Sequence, residues 1–174
     1  NRIITEDNFS HPAMFFIKSR LFSYAIADTL EKYFPEYIIG KDITLKNLLS
    51  MRSGIVRECD PMFNNPETYE ANSLEQNDAL FKDWVFSRPL NFQPNTKFEY
   101  SNNNYRLLSF VEEMVSGENY EDFIRKNIFQ PLGMNHSGFK IDVKENTPWT
   151  KGLTFDNIQS SGQVLILAQG AGGI

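Results

Sequence analysis

The chain has 174 residues, 41% hydrophobic and 14% aromatic, enough for one compact domain with a sizeable core. Its net charge is −5 with acidic and basic residues intermixed, so it offers no basic stripe for a phosphate backbone, and nucleic acid is not expected as a partner. The single cysteine, Cys59, excludes an intrachain disulfide; with only His11 and His136 beside it, neither a metal centre nor a cofactor is expected. No stretch approaches the roughly 20 apolar residues of a transmembrane helix.

In chain order, Asp28 is placed to cap a short surface helix through Thr29 and Lys32. Thr44 is a start signal for a helix over 45–51, with Leu45, Leu48 and Leu49 as its apolar stripe and Gly54 beyond its end. The stretch 58–72, rich in Asn, Pro and charge, reads as a surface loop. Ser73 then opens a helix through Leu80, Trp84 and Val85 that stops before Pro89. The strongest helical pattern covers 103–115: Tyr105, Leu107, Leu108, Phe110, Val111, Met114 and Val115 form a wide apolar face, and Arg106, Ser109, Glu112 and Glu113 mark a solvent side. Gly117 supplies a left-handed stop, and a further helix over 120–128 turns Phe123, Ile124 and Ile128 inward. After Lys140 the composition predicts irregular structure until 164–168.

The chemistry centres on Phe98-Glu99-Tyr100-Ser101-Asn102. In an extended segment residues i and i+2 project to one side, so Tyr100 and Asn102 can face one cleft. A phenol there can act as general base, and a side-chain amide can donate to and accept from a substrate amide at once. The plain alternative is a buried Tyr100 ring with its hydroxyl on the backbone and Asn102 as the cap of the following helix.

The whole run from Pro89 to Leu108 resembles the second active-site motif of the serine β-lactamase and penicillin-binding-protein superfamily, within it the class C β-lactamase, D-aminopeptidase and esterase branch. The resemblance extends to Asp28–Glu36, to Lys41–Ile55 with its Ser53-Gly54-Ile55 turn, to Ser116-Gly117 and Tyr120–Ile124, to Pro131-Leu132-Gly133-Met134 and to Gly170–Ile174. It implies a mainly α chain: the helical lobe of the β-lactamase/transpeptidase-like α+β fold, with most of the antiparallel sheet missing. The expected layout is a single partial domain over 1–174, made of a shortened N-terminal segment (1–27), a helical lobe (28–140) and an irregular C-terminal segment (141–174). A complete member would be about twice as long, beyond the usual size of a single core.

The resemblance also implies a serine acyl-transfer hydrolase acting on amide, ester or β-lactam bonds, with Tyr100, Asn102 and Ser19 as catalytic residues and Asn102 as substrate ligand. Ser19 comes from Phe15-Phe16-Ile17-Lys18-Ser19, which fits the family's Phe-x-Ile-x-Ser frame. Such enzymes need Ser-x-x-Lys, because i and i+3 share a helix face and the amine activates the hydroxyl. Position 22 is Phe22, and the family's Lys-Thr-Gly-type strand has no counterpart here. Ser137-Gly138-Phe139-Lys140 has the right letters where the family has a loop. Two readings stay open: a serine hydrolase scaffold, inactive as this chain, and a non-catalytic module that binds peptide, peptidoglycan fragment or β-lactam. Apolar surface that would meet the sheet implies self-association or a second chain. The resemblance alone points to the cell envelope or extracellular space.

Overall fold

The computed structural model describes residues 26–58 and 72–139. Residues 59–71 and the expected irregular segment after Lys140 lie outside them, as do Ser19 and the rest of the N-terminal stretch.

Among the described residues the secondary structure is helical. Two 3₁₀ turns, Leu30–Lys32 and Ile38–Asp42, lead into α1 (Leu45–Leu49). Then follow α2 (Leu74–Phe86), α3 (Asn102–Ser116) and α4 (Tyr120–Ile124), which runs on into a π turn at Arg125–Phe129. The only strand-like pairing among the described residues is an isolated antiparallel bridge between Thr29 and Thr44. This is the expected helical lobe. No helix here is long and apolar enough to cross a membrane.

Local chemistry explains the starts. Thr44 and Ser73 each form a reciprocal capping box, their hydroxyls accepting from the amides of Asn47 and Gln76 while those side chains reach back to the cap amides. Gly117 ends α3 at φ 69, its amide bonded to the Glu113 carbonyl at 2.9 Å. The expected Asp28 cap is not made: Thr29 occupies the cap position without a side-chain bond. The Asp28 carboxylate instead accepts from Lys32 Nζ at 2.5 Å and from the Tyr33 hydroxyl at 3.0 Å. Helix α1 is shorter than expected because Met51 already lies at φ 57, a conformation no α-helix continues through.

The solvent side expected for α3 is a correction. Arg106, Ser109 and Glu112 are buried, whereas Met114 and Val115 are exposed. The helix runs through the middle of the lobe, so even its polar residues meet protein. The Arg106 guanidinium lies 3.9 Å from the centre of the Phe81 ring and 3.5 Å from Asp78, and Ser109 Oγ donates to the Arg106 carbonyl. Burial pushes the Asp78 carboxyl up despite the opposing pull of Arg106.

The core has two parts. The larger joins Leu30, Phe34, Tyr37 and Ile43 to α1, to Phe81 and Val85 of α2, and to the apolar residues of α3. Phe86 closes its edge, stacking on Tyr37 at 4.4 Å. The smaller gathers Tyr120, Phe123, Ile124, Ile128, Phe129 and Phe139. Glu113 joins the two, its carboxylate accepting from the Tyr120 amide at 2.9 Å.

Candidate functional site

Tyr100 and Asn102 stand where an extended segment enters α3. Ser101 takes the cap position with φ −145 and ψ 121, so the segment is extended up to the helix and the two flanking side chains lie together. The Tyr100 hydroxyl donates to Asn102 Oδ1 at 2.7 Å, and Tyr100 is 53% exposed. Neither plain alternative is realised: the ring is not buried, and Asn102, the first helical residue, spends its carbonyl oxygen on Tyr100 instead of a backbone amide.

What holds this exposed pair is buried. The turn after α1 and the segment before α3 are laced by backbone bonds from Asn91 to Gly54, Asn95 to Arg52 and Glu99 to Met51, at 2.8, 2.9 and 3.0 Å. Asn47 Nδ2 donates to Asn95 Oδ1 at 2.7 Å, steadying a turn in which Asn95 has φ 69. Deeper in, Ser53 Oγ donates to Asn104 Oδ1 at 2.7 Å and accepts from the Ile55 amide at 3.1 Å. Asn104 Nδ2 faces the Met51 sulfur at 3.2 Å, and the Tyr105 hydroxyl donates to the Leu49 carbonyl at 3.0 Å. Burial holds the Tyr105 phenol protonated well above its ordinary range, and nearby Tyr100 adds to the effect.

Ser53, Asn103 and Asn104 were not singled out as site residues from the sequence. A signal was present: three successive asparagines, 102–104, are poor residues for a helix interior, so their place at the start of the strongest helix asks for another purpose. The Ser137-Gly138-Phe139 stretch is not helical, and Phe139 is buried in the smaller core, so it has no i, i+3 helix geometry to offer. Ser19 lies outside the described residues.

A helical lobe presenting a tyrosine and an asparagine at the mouth of its central helix has the architecture of the β-lactamase/transpeptidase-like fold. The beta-lactamase family model matches residues 24–173, and the chain belongs to that family, within the serine β-lactamase and penicillin-binding-protein superfamily. It is 37% identical over 123 residues to the penicillin-binding protein PbpX of Bacillus subtilis (strain 168), covering 70% of this chain and 28% of that protein. Among solved structures it is similar to a D-stereospecific amidohydrolase from Streptomyces sp. at TM-score 0.70 and 21% identity, covering 92% of this chain and 52% of the other. A penicillin binding protein from Bacillus halodurans aligns at TM-score 0.64 and 21% identity, over 87% and 48% of the two chains. The chain thus spans less than a third of PbpX and about half of the Streptomyces enzyme.

Proposed function

We propose that this chain carries the tyrosine and asparagine wall of a serine acyl-transfer site, in a hydrolase scaffold of the penicillin-binding and D-alanyl-D-alanine carboxypeptidase kind, and that the 174 residues alone do not turn over substrate. The observation that carries this reading is the Tyr100–Asn102 contact, exposed at one face and rigidly backed at the other. In the chemistry this scaffold is built for, a serine at the place of Ser19 attacks an amide, ester or β-lactam carbonyl, Tyr100 relays the serine proton toward the leaving nitrogen or oxygen, and Asn102 grips the acyl amide. A half-turn of the Asn102 amide would present Nδ2 to a phenolate, so one side chain serves both protonation states of Tyr100. Within this proposal the helical lobe spans 28–140, flanked by the two segments expected from the sequence.

The absent lysine weighs against turnover here. Phe22 stands where the activating amine belongs, and removing one member of a catalytic group that works as a unit abolishes most of the rate. The second reading, a module that binds peptide or peptidoglycan fragments without cleaving them, draws on the same exposed pair. Intact-protein mass after incubation with a penicillin, and separately with a fluorophosphonate, tests the lack of acylation on which both readings rest, beside a Ser19→Ala control. We expect folded protein of unchanged mass. A stoichiometric adduct that disappears in Ser19→Ala would make the chain an active acyl-transfer enzyme.

A further inference from the structure

Ser101 sits at the cap position of α3, yet its hydroxyl does not cap the helix; it donates to the Val56 carbonyl at 2.7 Å. A second side chain of the first turn bonds to the same segment. Asn103 is 4% exposed, and its Nδ2 donates to the same Val56 carbonyl at 2.9 Å and to the Glu58 carbonyl at 3.0 Å. Both amide hydrogens are thereby used, and Val56 receives two donors, the capacity of a carbonyl oxygen. Residues 55–58 lie in neither helix nor strand, so side chains supply the fixation that a backbone ladder would otherwise give.

We infer that Asn103 is the positioning residue of the Tyr100–Asn102 pair, acting by pinning the first turn of α3 to the backbone of Val56 and Glu58; this rests on reading the pair as an acyl-amide binding site. Successive helical residues diverge by about 100° around the axis, so a turn whose Asn103 is fixed on the backbone of 56–58 has the direction of its Asn102 fixed as well. Without that anchor an uncapped first turn frays, and the direction of the Asn102 amide is lost first.

The test uses the 174-residue chain labelled with [13Cζ]tyrosine, the Tyr100 resonance being assigned from Tyr100→Phe. In Asn103→Ala the Tyr100 resonance should move toward the position of free tyrosine, and the Kd for benzylpenicillin under non-acylating conditions should rise about tenfold. Ser109→Ala, which removes a buried hydroxyl in the same helix, should move neither. Should Asn103→Ala not fold, Asn103→Ser, too short to reach both the Val56 and Glu58 carbonyls, is judged by the same two readings. An unmoved Tyr100 resonance in a folded variant overturns the positioning role. A moved resonance upholds that role. If benzylpenicillin binds equally well to wild type and Tyr100→Phe, or to neither, the reading of the pair as a binding site fails instead.

Discussion

Gly54 lies at φ +81, and a Cβ built on it would sit 2.0 Å from the Phe92 carbonyl oxygen. Its own carbonyl accepts from the Asn91 amide, so the close approach is part of the lacing that supports the segment leading to Tyr100. Gly54→Ala therefore meets left-handed strain and a backbone clash together, which should lower stability by at least about 2–4 kcal/mol in urea unfolding. A loss below about 0.5 kcal/mol would mean that the two segments part easily. The Ser53-Gly54-Ile55 turn was legible in the sequence as a family motif, but its partner was not. That Gly54 faces Phe92, and Ser53 faces Asn104, are contacts across 38 and 51 positions that no local pattern encodes. The same holds for Asn103, whose chemistry depends on carbonyls more than 40 residues earlier.

Among the helices, starts were more legible than faces. Thr44 and Ser73 announce themselves because a capping box lies within four consecutive residues. Periodicity misplaced Arg106, Ser109 and Glu112 because it assumes a helix with a free side, and α3 has little of one. Asp28 shows how a polar residue near a helix start can be taken by side chains instead of the cap. Its carboxyl is held below the ordinary carboxylate range, chiefly by the hydrogen bond from Lys32 and further by Tyr33, against an opposing desolvation effect. A lowered folded-state value means that the stability from Asp28 is complete above the unfolded value near about 4 and is lost as pH falls through the folded value. Urea midpoints of wild type and Asp28→Asn should therefore differ most above about pH 5 and converge toward about pH 2. A gap that stays constant over that range would show that the variant acts through shape and not through charge.

At the scale of the whole molecule, the described residues make a lobe without the sheet that completes the fold class. Ile38 is 83% exposed, and Phe98 and Leu132 are each 64% exposed, although the lobe buries large side chains such as Tyr37, Phe34 and Tyr120 almost completely. The contrast is informative, because a lobe able to enclose whole aromatic rings leaves these three outside while its core is already closed. Apolar surface of this kind carries a free-energy gain for whatever covers it, on the order of 25 cal/mol for each Å² removed from water. We propose a second copy of the chain as the cover when nothing else is present, which makes association depend on concentration and on those side chains. Sedimentation velocity should show the weight-average mass rising with protein concentration, and replacing Ile38 and Phe98 together by serine should shift that rise to higher concentration. Neither side chain belongs to the buried core, so the double variant should unfold within about 0.5 kcal/mol of wild type, the range for surface changes. A wild-type chain that stays monomeric at the highest concentration would leave the exposed residues without this role and end the case for self-association.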